Sequence, residues 1–446
     1  MIRKVLIANR GEIALRVIRA CKELGIKTVS VHSIADENSL HRHFSDEDVC
    51  IGEAPSSDSY LNIPRIMAAA EITGADAIHP GYGFLSERAK FAEACDENGI
   101  TFIGPTKDII DKMGDKSSAR ENMAKAGVPI IPGTEILKDK DEALVAARRI
   151  KFPVILKATA GGGGRGMRIC ENEAELLKNF DIASNEALVA FGNSGVYMEK
   201  YIRNPHHIEV QILGDKHGKV LHIGERDCSI QRKHQKLIEE TPSPFIDERI
   251  RKKIREAAVR GAEEMGYFGA GTMEFLVDDN GEEFYFIEMN TRIQVEHTIS
   301  EMITGIDLVK MQIRVADGEA IPFDQKDIVF RGHSIECRIN AEDPANGFIP
   351  NPGRITGYHI PQGLGVRVDS HCYMDYSIPS NYDSMIGKLI TWGNDRTEAI
   401  ERMRRSLAEF TIEGVKTTIP FHLRVMDEKS FLDGNYHTGF LESFKF

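Results

Sequence analysis

The sequence has no apolar run long enough to cross a membrane, which takes about 18 residues, and no pair of cysteines spaced as CxxC. Its seven cysteines are scattered over 446 residues, whereas a secreted disulfide framework usually has an even number at close spacing. Residues 1 to 7 also lack the apolar stretch of a signal peptide. We therefore expect a cytoplasmic protein with reduced thiols and no membrane contact.

Positive charge is in deficit. The chain has 56 Lys and Arg against 68 Asp and Glu, a formal charge of −12 at pH 7. A surface for nucleic acid or anionic lipid normally needs basic patches, so we expect no nucleic-acid partner. In this acidic chain, five basic residues lie close together: Arg226, Arg232, Lys233, His234 and Lys236. We interpret this cluster as serving one local purpose, the neutralisation of a small phosphorylated ligand.

The N-terminal part lacks the GxGxxG turn of a dinucleotide-binding unit. Its pattern is nevertheless βα, with apolar strands at residues 4 to 8, 28 to 31, 75 to 78 and 101 to 103 and helical stretches between them. The pattern predicts a doubly wound α/β domain over residues 1 to 113. The missing glycines argue against NAD as a cofactor.

Two further units are predicted, consistent with a length beyond one hydrophobic core. Residues 114 to 330 alternate strands and helices around a glycine run, and residues 331 to 446 read as α+β. The last unit has an amphipathic helix with Ile400, Met403 and Leu407 on one stripe. The fold class is thus α/β and α+β in three domains.

A glycine run follows an apolar strand that carries one lysine. Lys157 precedes Gly161 to Gly164 and Arg165. Glycines let successive backbone N–H groups turn toward phosphate oxygens, while the two cations supply charge. The GxxxxGK[ST] pattern of a P-loop is not satisfied there. We interpret the run as a phosphate-gripping hairpin, with a flexible linker as the alternative.

Carboxylates and a row of polar residues mark a second region. Glu274 and Glu288 flank a turn with Asn280-Gly281, so a hairpin would place them side by side, where Mg²⁺ would relieve their repulsion. If the following segment is extended, Arg292, Gln294 and Glu296 share one face. That row suits a small planar anion and a base, although a solvated strand face is the common alternative.

Two polar segments suit a nucleotide. Residues 197 to 202 could form a hinge in which Glu199 holds a purine amine, although a plain strand end is the alternative. His207, Gln231 and His234 could line the ribose and phosphates, with a solvated loop as the alternative.

Several motifs in order make the chain resemble an ATP-grasp enzyme, and specifically the biotin carboxylase family. They are IANRGEIA at residues 7 to 14, HPGYGFLSE at 79 to 87, EMNTRIQVEH at 288 to 297 and YDSM at 382 to 385. The resemblance covers essentially the whole chain. It implies a central ATP-grasp domain with a mobile glycine-rich lid over residues 131 to 203, which would close over the phosphates.

The resemblance implies roles for individual residues. ATP would be bound by Lys116, Lys157, Gly162, Gly163, Gly164, Glu199, Lys200, Ile202, His207, Gln231, His234, Glu274 and Glu288. Magnesium or manganese would be held by Glu274, Glu288 and Asn290, and bicarbonate by Lys236, Arg292, Gln294 and the backbone of Val295. Biotin would lie near Tyr82, Arg338 and Asp383. The catalytic residues would be Glu296, Arg338, Arg292 and Lys236, with Glu296 deprotonating bicarbonate and Arg338 stabilising the biotin enolate.

The resemblance also implies partners. The chain contains no Ala-Met-Lys-Met biotin attachment motif, so a separate biotin carboxyl carrier protein and separate carboxyltransferase subunits are expected, with a homodimer as the common state of the family. The function implied is the first half-reaction of acetyl-CoA carboxylase, in fatty acid synthesis. His297-Thr298 departs from the His-Pro common in such subunits, so a pyruvate or other acyl-CoA carboxylase is the alternative. Two further alternatives for the function are another ATP-grasp ligase and a catalytically silent nucleotide-binding protein.

Overall fold

The computed structural model describes residues 1–158, 167–191 and 195–446, with the backbone alone for 158 and 186–191. The predicted phosphate-gripping glycines Gly162, Gly163 and Gly164, together with Arg165, lie outside the described residues. Among the described helices, none combines the length and the apolar character that a membrane span requires.

The N-terminal part is a parallel sheet with helices between its strands. Its elements are β1 (Lys4–Ile7), α1 (Gly11–Glu23), β2 (Lys27–Ser33), α2 (Leu40–Phe44), β3 (Glu47–Gly52), α3 (Ile63–Thr73), β4 (Ala77–His79), α4 (Ala89–Glu97) and β5 (Thr101–Phe102). The strand order β3-β2-β1-β4-β5, parallel throughout, confirms the doubly wound prediction.

The order of this sheet reverses between β1 and β4. In open α/β sheets ligands bind outside the carboxyl ends of the strands at such a switch point. The turn after β1 leads to Glu12, and the turn after β4 carries Tyr82. Gly11 begins α1 with φ +68°, a conformation that side chains rarely adopt, and this lets the chain turn directly from strand into helix.

A small unit follows, with a hydrophobic core of its own that includes Leu156, Cys170 and Met198. The helices before this unit, α5 (Lys107–Gly114) and α6 (Lys116–Lys125), pack into another core, shared with the strands β9 (His206–Gly214), β12 (Gly269–Val277) and β13 (Phe284–Asn290). The unit itself contains α7 (Lys140–Ile150), β6 (Val154–Ala158), β7 (Met167–Cys170), α8 (Glu173–Phe191) and β8 (Val196–Lys200). Strand β6 pairs antiparallel with β7 and β8. A separate core of this kind suits the predicted lid over residues 131 to 203, whose movement stays a prediction.

One antiparallel sheet of eight strands forms the rest of the frame, in the order β13-β12-β9-β10-β11-β14-β19-β18. Residues 206–316 contribute five of these strands and three helices: β9 (His206–Gly214), β10 (Val220–Arg232), β11 (Gln235–Thr241), α9 (Glu248–Glu264), β12 (Gly269–Val277), β13 (Phe284–Asn290), α10 (His297–Thr304) and α11 (Leu308–Ala316).

The remaining elements are β14 (His333–Asn340), β15 (Glu342–Asp343), β16 (Ile349–Pro350), β17 (Gly357–His359), β18 (Val366–Ser370), β19 (Met385–Gly393), α12 (Arg396–Glu409), β20 (Thr411–Glu413), α13 (Ile419–Met426), α14 (Lys429–Leu432) and α15 (Phe440–Ser443). Helix α12 is the predicted amphipathic helix, and its Ile400, Met403 and Leu407 are buried. Strands β11 and β14 pair directly, so the sheet runs through the predicted division at residue 330.

Candidate active site

Four charged residues stand side by side on neighbouring strands. Glu288 on β13 lies opposite Glu274 on β12, which lies opposite Glu209 on β9, which in turn lies opposite Arg226 on β10. Like charges directly opposite each other destabilise a sheet unless cations intervene. The predicted pairing of Glu274 with Glu288 across a hairpin is present in the structure. It is one part of the carboxylate row, which consists of Glu288, Glu274 and Glu209 and ends at Arg226.

Lys236, on strand β11, is a cation that contacts two carboxylates of this row and also Glu296. Its Nζ lies 3.0 Å from a carboxylate oxygen of Glu274 and 2.7 Å from one of Glu296, and it also contacts Glu209. Burial by itself lowers the pKa of Lys236, but the three carboxylates outweigh it and raise that pKa well above its usual value. Lys236 is consequently a permanent positive charge in a buried site.

Glu296, the predicted base, is fully buried between two cations. Lys236 contacts one of its carboxylate oxygens, and Arg338 donates to the other at 2.8 Å. Burial raises the pKa of Glu296, but Lys236 and Arg338 prevail and hold it well below the usual value. The carboxylate is therefore ionised at neutral pH, which is the form a base requires.

Arg338 is positioned from strand β14 by two carboxylates. Its Nε donates to Glu239 at 2.6 Å, and its Nη2 makes the contact with Glu296. Glu239 is fully buried, and burial raises its pKa to about 7 despite the contact with Arg338. The predicted catalytic arginine thus bridges the predicted base and a buried acid.

Residues 291 to 296 are not a strand, so the extended conformation considered from the sequence is wrong. Strand β13 ends at Asn290 and α10 begins at His297. The chain turns because the carbonyl of Gln294 accepts from His297 Nδ1 at 2.7 Å, a local bond that a strand would not allow. Arg292 and Gln294 still converge, with Arg292 Nη1 3.0 Å from Gln294 Oε1.

Arg292 is also held by the N-terminal sheet unit. Its Nε donates to Glu87 at 2.8 Å and its Nη2 donates to Asn290 Oδ1 at 2.9 Å. Gln294 donates to Glu274 at 3.2 Å, so the loop is tied to the carboxylate row. Arg292, Gln294, Lys236 and Glu296, predicted to handle bicarbonate, are therefore linked around Glu274, while the carbonyl of Val295 accepts from Lys388.

The predicted metal ligands lie together. Asn290 Nδ2 donates to Glu274 Oε1 at 2.9 Å, and Glu288 lies opposite Glu274 in the sheet. Burial and the charge of Glu274 raise the pKa of Glu288, which is the behaviour of a carboxylate that a cation would stabilise. Carboxylate and amide oxygens are the ligands that Mg²⁺ prefers, so the residues fit the predicted metal.

Other groupings also have metal-ligand spacing. The ligand atoms of His207, Glu209 and Glu274 lie within 4.8 Å of one another. His207 Nε2 is 2.9 Å from Glu274 Oε2. Burial lowers the pKa of His207, but Glu274 outweighs it and raises that pKa above its usual value. The contact therefore ties His207 to the predicted metal ligand Glu274.

The predicted ATP residues fall in two groups. Lys157 on β6 lies 2.5 Å from Glu199 on β8, and Arg120 contacts the same carboxylate. Glu199, predicted to hold a purine amine, is thus bound by two cations here. The backbone N–H of Lys200 donates to the carbonyl of Pro132, and Ile202 is buried nearby in the chain.

The second group lies around the turn between β10 and β11. Gln231 pairs with Lys236 across the two strands, and His234 stands exposed in the turn with φ +66°. Lys116 is exposed at the start of α6, and its charge lowers the pKa of Glu288 without overcoming the effect of burial. Gln231 is thus placed beside Lys236, and Lys116 within electrostatic range of Glu288.

The predicted biotin residues are brought into electrostatic range of one another. The hydroxyl of Tyr82 donates to Glu12, and Asp383 accepts from the N–H of Met385 at 2.7 Å. Burial raises the pKa of Tyr82, as do Glu12 and Asp383, while Arg338 opposes the shift. Tyr82, Asp383 and Arg338 therefore lie around one region, although they come from three distant parts of the chain.

The interpretation of Arg226 as a phosphate-neutralising residue is wrong. Its side chain is fully buried, and it donates to Glu209, to Gln211 at 2.7 Å and to Ser300 of α10 at 3.0 Å. Helix α10 covers this part of the sheet, so Arg226 is an internal counter-charge to the carboxylate row. Sequence proximity to His234 and Lys236 could not reveal that covering.

Several charged residues of the site were not found from the sequence: Glu12, Glu87, Glu209, Glu239 and Lys388. Glu209 belongs to an alternating strand, and Glu12 and Glu87 fall within recognised motifs. Glu239 and Lys388 lie in strands with no distinguishing pattern. Only their pairing partners in the folded sheet reveal them.

Comparison with known proteins gives matches along the whole chain. Residues 1–110 match the family description "Biotin carboxylase, N-terminal domain", residues 115–323 match "Carbamoyl-phosphate synthase L chain, ATP binding domain", and residues 336–443 match "Biotin carboxylase C-terminal domain".

Curated relatives agree. Biotin carboxylase 1 of Bacillus subtilis is 56% identical over 445 residues, which is 100% of this chain and 99% of the relative. A pyruvate carboxylase subunit of Methanothermobacter thermautotrophicus is also 56% identical, over 100% of this chain and 90% of the relative.

Among solved structures, the biotin carboxylase domain dimer of the 2-oxoglutarate carboxylase of Hydrogenobacter thermophilus, in complex with MgADP, ADP and bicarbonate, has a TM-score of 0.87 and 53% identity. The match covers 99% of this chain and 97% of that one.

Proposed function

This chain belongs to the biotin carboxylase family, and we propose that it carboxylates biotin on a separate carrier protein as the first half-reaction of acetyl-CoA carboxylase. The chain is a biotin carboxylase and an ATP-grasp ligase. In the proposed reaction ATP, bicarbonate and carrier-bound biotin give ADP, phosphate and carboxybiotin. The β,γ-bond of ATP breaks and a new N–C bond forms on biotin.

One observation carries the proposal: ionised Glu296 is held between Lys236 and Arg338 in a buried site. A carboxylate paired with two cations is a weak base, because its pKa is depressed. Bicarbonate bound at Lys236 and Arg292 would take up part of that positive charge. The pKa of Glu296 would then rise at the moment when a proton has to be removed, so the base is strongest with its substrate present.

The binding site for Mg·ATP is proposed at the carboxylate row. Glu274, Glu288 and Asn290 would hold Mg²⁺, which supplies charge neutralisation between the phosphates when bound. Lys157 and Lys116 would bind phosphate oxygens, and Glu199 the purine amine. The relative from Hydrogenobacter contains MgADP and bicarbonate, which supports this set of ligands.

The biotin side is proposed at Arg338, Tyr82 and Asp383. Carboxyphosphate formed at Glu296 would release CO₂ and phosphate, and the phosphate would remove the ureido proton of biotin. Arg338 would stabilise the resulting enolate oxygen by a charge-assisted hydrogen bond. Burial raises the pKa of its partner Glu239 to about 7, so Glu239 competes with the enolate for Arg338 less strongly than a fully ionised carboxylate would.

The partners are proposed on the same basis: a biotin carboxyl carrier protein, carboxyltransferase subunits and a second copy of the chain. The Hydrogenobacter relative is described as a dimer. A second candidate for the parent complex is a pyruvate carboxylase, because the Methanothermobacter relative is as similar as the Bacillus enzyme. Thr298, which led to this alternative, donates to the buried Glu336.

The test begins with phosphate release from Mg·ATP, with and without bicarbonate and free biotin. Stimulation that requires bicarbonate and rises with biotin is expected. Hydrolysis indifferent to both would favour another ATP-grasp ligase, and ATP binding without turnover would favour a silent protein.

The parent complex is tested by transfer of labelled carboxylate to purified carrier proteins. A carrier from acetyl-CoA carboxylase and one from pyruvate carboxylase of the same source are compared at equal concentrations. A higher kcat/KM with the first supports the proposal. A higher kcat/KM with the carrier from pyruvate carboxylase would instead assign the chain to a pyruvate carboxylase.

A further inference from the structure

Lys388 is a buried lysine outside the proposed sets of ligand-binding and catalytic residues. It lies in β19, and its side chain is 0% exposed. Its Nζ lies 2.7 Å from the carbonyl oxygen of Val295 and 3.2 Å from a carboxylate oxygen of Glu12. Burying an ammonium group is costly unless it is paired and hydrogen-bonded. These two contacts supply partners, and the charges of Glu336 and Asp369 also stabilise the ammonium.

The position of Lys388 in the sheet places it in the site. It lies directly opposite Arg338 across strands β14 and β19. Side chains of directly opposite residues lie on the same face of a sheet, within about 5 Å at Cβ. Lys388 therefore points to the face that carries the predicted enolate-stabilising arginine.

The contact with Val295 fixes one peptide plane. Because a peptide unit is planar, holding the carbonyl of Val295 also fixes the N–H and Cα of Glu296. This peptide stands at the turn just before α10, where the chain has left β13 and no strand ladder holds it. The direction of the Glu296 side chain thus depends on a donor supplied from the C-terminal half of the sheet.

The contact with Glu12 leads to the other side of the site. Glu12 lies in the first turn of α1, and its carboxylate also accepts the hydroxyl of Tyr82. Lys388 therefore connects the segment of the proposed base with the tyrosine of the proposed biotin pocket. The connection passes through only one intervening side chain.

We propose that Lys388 is a positioning residue for the carboxylation reaction, which holds the Val295–Glu296 peptide in place and, through Glu12, the hydroxyl of Tyr82. The inference rests on the proposed function, since it assigns Lys388 to the support of Glu296 as base. Lys388 itself touches neither reacting atoms nor substrate in this role.

A purely structural role is the competing explanation, because Lys388 joins residues from the N-terminal and C-terminal parts of the chain. The two roles differ in their kinetic consequences. Loss of a structural tie lowers thermal stability and the amount of active enzyme, and it changes all kinetic constants little or together. Loss of a positioning contact changes the bicarbonate-dependent step selectively, because a displacement of 1 Å can cost about 10²-fold in rate.

The experiment measures bicarbonate-dependent ATP hydrolysis of Lys388→Met in the full chain. We expect the KM for bicarbonate to rise roughly 10-fold and kcat to fall roughly 10-fold, while the KM for ATP stays within about 2-fold of wild type. Arg396→Met is the matched control. It breaks the contact of an arginine with the buried Glu240, at 2.7 Å, away from the carboxylate row. This control should lower the melting temperature and leave the KM for bicarbonate unchanged.

Two further variants keep the inference testable. Lys388→Arg retains the positive charge that the neighbouring carboxylates require, but it moves the donors, so it protects folding and should still raise the KM for bicarbonate. Glu12→Gln leaves the donor to Val295 in place and weakens the link to Tyr82. It should reduce the stimulation by biotin several-fold, with a near-normal KM for bicarbonate.

The outcomes separate this inference from the proposed function. Absence of bicarbonate-dependent ATP hydrolysis in the wild-type chain would refute the proposed function itself. An active wild type, together with an unchanged KM for bicarbonate in any folded Lys388 variant, would overturn the positioning role alone. Equal changes in the KM for ATP and for bicarbonate would likewise assign Lys388 to structure.

Discussion

Lys236 Nζ lies 2.7 Å from a carboxylate oxygen of Glu296, and both side chains are buried or nearly so. Each group stabilises the charged form of the other, so the pKa of Lys236 is raised and that of Glu296 is lowered, against the opposing effect of burial in each case. In the proposed reaction the pair would therefore start fully ionised. An anionic substrate arriving between these groups would compete with Glu296 for the ammonium.

Replacing Glu296 by Gln should cut bicarbonate-dependent ATP hydrolysis by roughly 10² or more, the scale of a lost general base. The amide keeps the size of the side chain but cannot accept the proton. ATP and ADP affinity, measured by calorimetry, should stay close to that of wild type. Glu282→Gln, in the exposed hairpin loop before β13, is the control and should be fully active. A variant E296Q with normal turnover would eliminate Glu296 as the base.

Replacing Arg338 by Ala should separate the two half-steps of the reaction. Because Arg338 donates to Glu296 at 2.8 Å, its loss should reduce bicarbonate-dependent hydrolysis by about 10-fold. Carboxylation of biotin should fall by roughly 10² or more, since an enolate would lose its charge-assisted donor. Both rates are measured on one preparation, with labelled bicarbonate and released phosphate. Equal losses in the two assays would contradict the assignment to the enolate.

Patterns local in sequence predicted the elements that carry the site. The βα alternation of residues 1 to 113 corresponds to a parallel sheet, and the hairpin between Glu274 and Glu288 was found from its turn residues. These features depend on neighbours close in the chain. The family resemblance then supplied roles that no pattern of spacing contains, such as that of Arg338.

Other features depend on contacts between distant residues and could not be predicted in this way. The pairing of β11 with β14 makes one sheet of two predicted units, and no residue in either strand signals it. Arg226 looked like a ligand-binding cation because helix α10, which covers it, lies far along the chain from it. Periodicity tells which residues share a face, but it does not tell what covers that face.

Protonation of buried His79 should contribute to acid destabilisation. Burial lowers the pKa of His79 to about 4 in the folded chain, whereas an unfolded histidine has about 6.5. The unfolded state therefore binds more protons between these values. The contribution to stability is fully present above pH 6.5 and is lost as the pH falls toward 4, with a loss of about 2 kcal/mol by pH 5.

The variant His79→Asn tests this. The asparagine oxygen can replace His79 Nδ1, which accepts from the N–H of Gly81 at 3.0 Å, but it does not titrate in this range. The fall in melting temperature between pH 7.5 and pH 5.0 should therefore be smaller in the variant than in wild type. An identical fall in both proteins would show that another group controls the acid transition.

Replacing Glu288 by Gln should have opposite effects on stability and on metal use. Without metal, Glu288 lies opposite Glu274 in the sheet, and burial together with that charge raises its pKa. Removing the charge relieves the repulsion, so the ligand-free variant should be more stable than wild type by roughly 1 kcal/mol. The concentration of Mg²⁺ for half-maximal ATP hydrolysis should rise by roughly 10-fold to 100-fold, the range for a weakened metal site.

Both effects are measured on one protein, by thermal unfolding without nucleotide and by a magnesium titration at saturating bicarbonate. Glu282→Gln serves again as the control, since it removes a carboxylate from the same hairpin without changing the carboxylate row. A variant E288Q that is less stable than wild type without metal would mean that Glu288 is satisfied by protein groups. A normal magnesium requirement would then remove it from the metal site, and Glu274 with Asn290 would have to hold the ion alone.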